Sequence, residues 1–120
     1  MTLQECYAAL GGDYEGVAGR LRSDRLVQKF TLKFLDDPSY ELLCTSMDSQ
    51  EYGEAFRAAH TIKGVCQNLS FTTLYGSSSQ LCEALRDGFR PEVPGLFEQV
   101  KADYDATMSA IRAYQASLPQ

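Results

Sequence analysis

Apolar residues recur at spacings of three and four along almost the whole chain, and no segment shows a sustained alternation of apolar and polar residues. Spacings of three and four place side chains on one face of an α-helix, whereas strict alternation is typical of strands. The pattern therefore predicts an all-α protein. Four long helices are expected, over about residues 23–47, 49–69, 71–87 and 94–117.

Several residue pairs indicate where helices begin. Thr2 and Glu5 have the spacing of a capping box and predict a short helix at the N-terminus. Asp48 and Glu51 repeat that spacing before the second long helix. Ser70 is predicted to cap the third long helix.

Within the first long helix, Asp37 and Pro38 suit a cap followed by a first helical position, so the chain is expected to bend there and continue helically. Short connections between long helices favour antiparallel neighbours. We therefore predict one domain over residues 1–120, an up-and-down antiparallel four-helix bundle with its core at about 23–117. The short N-terminal helix is expected to pack across one end.

Composition and charge narrow the possible partners. The net charge of -5 argues against nucleic-acid binding, which needs clustered lysine and arginine. No apolar run approaches the roughly 18 residues of a membrane span, and the first residues lack the features of a signal peptide. A free-standing, monomeric, cytoplasmic protein is the resulting expectation.

The four cysteines lie far apart and form no C-x-x-C pair, which argues against both a zinc site and a disulfide framework. We interpret them as reduced, buried thiols. No glycine-rich loop followed by lysine and serine or threonine is present, nor a second histidine for a metal site. The sequence therefore predicts neither a cofactor nor a nucleotide-binding site.

The stretch "AAHTIKG", residues 58–64, contains the only histidine of the chain. At about 100° per residue, His60 lies well outside the middle of the apolar sector of its helix, so we expect it to face solvent. Lys63 lies one turn along, and Gln67 nearly in line two turns along. The apolar sector comprises Tyr52, Ala55, Phe56, Ala59, Ile62, Cys66 and Leu69.

Gly64 follows His60 by four residues, and a glycine inside a helix costs about 1 kcal/mol relative to alanine. Two reasons are possible: access for a partner to the imidazole, or tight helix packing, although the position points away from the apolar sector. A neutral imidazole is a competent nucleophile near pH 7, and the Lys63 ammonium could offset the charge of a phosphoryl group. The three residues suit a protein that receives a phosphoryl group and passes it on.

The segment "HTIKGVCQNLSFTTLYGSSSQLCEAL" resembles the central H-x-L-K-G motif of histidine-containing phosphotransfer (HPt) domains. The similarity is strongest over about residues 48–86 and extends more weakly over about 23–117. It implies that His60 is the phosphoacceptor, that Lys63 assists the phosphoryl group and that Gly64 gives a partner access. Gln67 is assigned to binding. Departures from the family pattern include serine at Ser70, where glycine is usual, and Ile62, Val65 and Cys66.

The resemblance also implies a phosphorelay, in which a receiver domain carrying a phosphorylated aspartate, or a sensor histidine kinase, exchanges the phosphoryl group with His60. Any Mg²⁺ would belong to the receiver. In such domains Nε2 attacks while Nδ1 faces an acceptor or water, for which Ser78, Ser79 and Cys82 are candidates.

Two other functions remain open at this point. The chain could be a helical adaptor that docks on a receiver domain without phosphotransfer, although such an adaptor has no need of Lys63 or Gly64. It could also be an enzyme with a cysteine nucleophile, which is disfavoured because the only histidine lies away from the cysteine-bearing sector of its helix.

Overall fold

The computed structural model of the protein describes residues 1–119, and within that range the secondary structure is helical, without strands. The prediction of an all-α protein is therefore confirmed. The α-helices are α1 (Leu3–Leu10), α2 (Tyr14–Leu21), α3 (Asp24–Lys33), α4 (Ser39–Asp48), α5 (Tyr52–Leu69), α6 (Thr72–Leu85) and α7 (Val93–Ala116), and a short 3-10 helix spans Phe34–Asp36. Among these residues no helix is both long and apolar enough to cross a membrane.

The later helices pack together into a helical bundle. Helix α5 packs against α4 on one side and α6 on the other, and α7 packs against α6. Helix α1 lies against α7, where the Cys6 thiol donates to the Ala110 carbonyl at 3.7 Å. The core is apolar and continuous, and its largest fully buried side chains include Tyr7, Val27, Leu43, Ile62, Phe71, Leu74, Leu81, Val100 and Ile111.

The bend predicted at Asp37 and Pro38 is confirmed, and it divides the helix expected over residues 23–47 into two helices. Helix α3 ends at Lys33, and after the 3-10 turn Asp37 adopts an extended conformation with φ −71° and ψ 127°. Pro38 disfavours helical geometry in the residue before it, which explains the break. The Asp37 carboxylate then accepts a hydrogen bond from the Ser39 amide at 2.8 Å, where α4 begins.

The capping pairs had different outcomes. Thr2 and Glu5 form the predicted capping box, with reciprocal hydrogen bonds of 2.8 and 3.0 Å. The capping box predicted for Asp48 and Glu51 was wrong, because Asp48 is the last residue of α4 and Glu51 makes no side-chain cap bond at the start of α5. Gln50, with φ 58°, turns the chain between the two helices, and backbone hydrogen bonds close the turn.

Ser70 does not cap α6 as predicted. It ends α5 in the left-handed conformation, with φ 58°, and α6 begins only at Thr72 without a side-chain cap. Glycine adopts this conformation without steric cost, which gives a physical reason for its usual occurrence at this place in the family pattern.

The N-terminal segment completes the end of α5. The last carbonyls of a helix have no partner within the helix. Here the Tyr7 hydroxyl donates to the Leu69 carbonyl at 2.8 Å, and Arg20 donates to the Asn68 carbonyl at 2.6 Å. The Asp13 amide donates to the Ser70 carbonyl at 2.8 Å. Helices α1 and α2 are thus an integral part of the fold.

Candidate functional site

Helix α5 presents one face to the core and the opposite face to solvent. Its buried residues are Ala55, Ala58, Ala59, Ile62, Cys66 and Leu69, close to the predicted sector. His60 is exposed, as its phase predicted. Small alanines on the inner face allow the neighbouring helices to approach α5 closely.

The His60 ring makes no hydrogen bond within the part of the chain that the structure describes. Neither ring nitrogen has a hydrogen-bond partner within residues 1–119, and the nearest aromatic neighbour is Phe56, with ring centroids 6.2 Å apart. Of the candidate acceptors on α6, Ser78 is buried and its hydroxyl donates to the Leu74 carbonyl at 2.7 Å. The exposed imidazole is therefore available to solvent or to a partner.

Lys63 lies half-buried on the side of α5 that faces α6. Its ammonium group affects the pKa values of side chains on α6. Burial raises the pKa of the Cys82 thiol, and the positive charge of Lys63 opposes this rise. The pKa of the Glu83 carboxyl is lowered mainly by Arg86 and further by Lys63. Lys63 forms no ion pair within the described part of the chain, so its charge remains available to an anion beside His60.

Gly64 is not a packing glycine. A Cβ atom built at this position would meet no atom within 4 Å outside the local helix backbone. The tight-packing explanation for Gly64 is therefore wrong, and access for a partner stays a prediction. Gln67 is exposed one turn further along. Together these residues form an open polar strip that begins at His60.

Sequence reasoning missed one residue next to this strip, Arg86. The Arg86 guanidinium of the α6–α7 connection lies over the Phe56 ring at 5.4 Å, and it is held by hydrogen bonds of 3.0 and 3.2 Å to Glu83. The Phe56 ring in turn neighbours His60. Arg86 lies far from His60 in sequence, and no local sequence pattern indicates the contact.

Most of the cysteines are buried in the core. Cys6, Cys66 and Cys82 are buried and Cys44 is half-buried, and all are free thiols. Burial raises the pKa of Cys6 to about 11 and that of Cys66 to about 12, so both stay protonated at neutral pH. A thiolate is needed for nucleophilic attack. Within residues 1–119 no group of acidic, histidine or cysteine side chains has the arrangement of a metal site.

A cavity of about 510 Å³ lies at the C-terminal end of α5. Its apolar lining comes from α2, α3, the 3-10 helix and the end of α5, and includes Leu21, Phe30, Phe34, Val65 and Leu69. His60, Lys63 and Gly64 do not line it. The strip around the histidine is thus an open surface outside this cavity.

Comparison with known proteins agrees with this geometry. The model of the Hpt domain family matches residues 25–110, which contain α4, α5, α6 and the His60 strip. The chain belongs to the Hpt domain family. No curated protein and no solved structure matches the chain. Helices α1 and α2 lie outside the matched region.

Proposed function

We propose that the protein is a histidine phosphotransfer protein of a two-component phosphorelay. His60 accepts a phosphoryl group from a receiver aspartate or a sensor histidine kinase and passes it to a response-regulator receiver domain. The observation that carries the proposal is the exposed, unbonded imidazole beside a lysine without an ion pair and an open glycine, in a chain of the Hpt domain family.

The transfer step follows from this arrangement. The lone pair on Nε2 of neutral His60 attacks the phosphorus of an aspartyl phosphate, a P–N bond forms, and the bond from phosphorus to the aspartyl oxygen breaks. The aspartate leaves as a carboxylate, and the ring keeps its Nδ1 proton until water takes it. The Lys63 ammonium offsets the negative charge on the phosphoryl oxygens. Attack by the aspartate of a second receiver reverses these bond changes.

The remaining parts of the proposal concern the setting of this step. Each molecule carries one phosphoryl group and acts as a stoichiometric carrier without its own nucleotide site or cofactor. Any Mg²⁺ belongs to the receiver, whose acidic residues suit it. The free cysteines support a reducing, cytoplasmic location. We further propose that α4 to α7 run up and down as an antiparallel bundle and that the protein works as a monomer.

The experiment is a phosphotransfer profile against the receiver domains and sensor kinases of the source organism. Wild type should take up phosphate that is labile in acid and stable in base, and His60→Gln should take up none. Circular dichroism should show that the variant is folded. Unaltered labelling of the variant would sink the proposal.

A non-catalytic adaptor is the second candidate, since the exposed strip could bind a receiver without chemistry. That function would show the same affinity for a receiver in wild type and His60→Gln, with no phosphate transfer from any donor. The unpaired Lys63 and open Gly64 favour transfer, because binding alone requires neither.

A further inference from the structure

An aromatic ridge leads from the α6–α7 connection to His60. Phe89 is among the exposed large hydrophobic residues, with 53% of its surface accessible, and its ring lies 5.3 Å from that of Tyr52. Tyr52, Phe56 and His60 follow at intervals of four residues along α5, so their side chains lie on neighbouring turns. We call Phe89, Tyr52 and Phe56 the aromatic ridge.

The connection holds Phe89 in place although the ring is exposed. The Gly88 amide donates to the Leu85 carbonyl at 3.0 Å, and Gly88 has φ 96°, a conformation that other residues rarely adopt. After Phe89, the Val93 amide donates to the Arg90 carbonyl at 3.0 Å. These backbone bonds restrict the chain on both sides of Phe89, so less backbone freedom is lost on binding, which favours its use as a contact residue.

The charges around the ridge are neutralised locally. Arg86 pairs with Glu83 at 3.0 Å, and Arg90 lies 3.5 Å from Asp87 and 3.9 Å from Glu92. Because these charges are paired, the electrostatic potential around the ridge is neither strongly positive nor strongly negative. The chemistry that fits it is therefore an apolar patch with a polar rim, as at the centre of a protein interface.

We propose that the aromatic ridge is a docking surface for the receiver domain and that Phe89 anchors the partner there. The inference rests on the proposed function and adds to it an orientation. Tyr52 precedes His60 by eight residues, about 12 Å along the helix axis. The receiver would thus carry an apolar contact for the Tyr52–Phe89 end of the ridge at about that distance from its phosphorylated aspartate, on the side facing the N-terminal end of α5.

The ridge adjoins the open polar strip, because the ring centroids of Phe56 and His60 lie 6.2 Å apart. We therefore expect a receiver domain to occupy the ridge, because a partner that binds over His60 reaches the ridge in the same encounter. A second copy of this chain is the competing occupant, and it would make Phe89 a determinant of oligomeric state.

The test uses the full-length protein and the receiver domain that transfers phosphate to it fastest. Phe89→Ala should raise the KM of phosphotransfer by about five- to tenfold and leave the maximal rate within about twofold, since the ring contacts the partner but not the reacting atoms. Phe89→Leu should restore most of the affinity. Leu26→Ala is the control, since Leu26 is an exposed apolar residue, 38% accessible, on α3.

Each other outcome has a defined meaning. If wild type is labelled on His60 and Phe89→Ala has the KM of wild type, the ridge is not a docking surface and this inference fails alone. If no receiver or kinase labels wild type, the proposed function fails and the inference fails with it. A Phe89-dependent dimer in sedimentation experiments, with unchanged KM, would replace the receiver by a second copy.

Discussion

Replacing Gly64 by glutamine should move stability and activity in opposite directions. The site has room, since a Cβ atom there meets nothing within 4 Å, and the position lies inside the 18-residue helix α5. Glutamine is a good helix former, so the free energy of unfolding should rise by about 0.5–1 kcal/mol. For a domain of this size, that corresponds to a rise in melting temperature of about 2–5 °C.

The same side chain should block transfer. A helical side chain covers the turn on the N-terminal side of its own Cα, and for residue 64 that turn carries His60. A partner that approaches the imidazole would be displaced, and displacements of about 1 Å can slow a reaction a hundredfold. We therefore expect Gly64→Gln to slow phosphotransfer by about ten- to hundredfold.

The assay pairs thermal unfolding with rapid-quench phosphotransfer from a phosphorylated receiver. Gly19→Gln is the matched control, because Gly19 is an exposed helical glycine in α2 whose Cβ would also meet nothing within 4 Å. It should gain stability in the same way and transfer at the wild-type rate. Equal transfer rates in wild type and Gly64→Gln would refute the access argument.

Three further predictions concern charge, capping and pH. Lys63→Gln should slow labelling of His60 about ten- to hundredfold in the same quench assay, because the phosphoryl charge loses its nearest cation, while Lys29→Gln on α3 should not. Tyr7→Phe leaves the Leu69 carbonyl without its donor and should lower the free energy of unfolding by about 1–3 kcal/mol in urea titrations. Burial raises the pKa of Cys66 from 9.0 to about 12, so the unfolded chain loses this proton first as the pH rises. Its contribution to stability is therefore complete below about pH 9 and falls by about 1.4 kcal/mol per pH unit up to about pH 12.

Each of these predictions has an outcome that contradicts it. A wild-type rate for Lys63→Gln would remove the lysine from the transfer step. Tyr114→Phe is the control for the tyrosine, since its hydroxyl has no hydrogen-bond partner within residues 1–119, and equal losses in both variants would rule out the capping role. Cys66→Ala should flatten the stability profile above pH 9, and an unchanged slope would show that the thiol does not titrate as argued.

The site was predictable from the sequence because it depends on the phase of one helix. The position of His60 relative to the buried residues of α5 follows from a constant angle per residue, and Gly64 is informative because glycine is costly in a helix. The positions of both agree with the structure. Their roles in transfer remain predictions.

The helix boundaries were less predictable because distant residues determine them. Asp48 has the spacing of a cap, yet α4 extends through it and the turn is closed by backbone bonds. Ser70 adopts the left-handed conformation while Arg20 donates to its hydroxyl at 3.2 Å, a contact that no local pattern indicates. The cation–π contact of Arg86 with Phe56 likewise arises only when α5 and α6 pack together.

The most direct test of the central claim is to map the phosphorylated residue. The protein should be incubated with a phosphorylated receiver, digested at alkaline pH and sequenced by mass spectrometry, with His60→Gln treated in parallel. The account predicts one acid-labile phosphoryl group on His60 of wild type and none on the variant. Phosphate on another residue, or receivers that bind tightly while no phosphoryl group reaches His60, would contradict it.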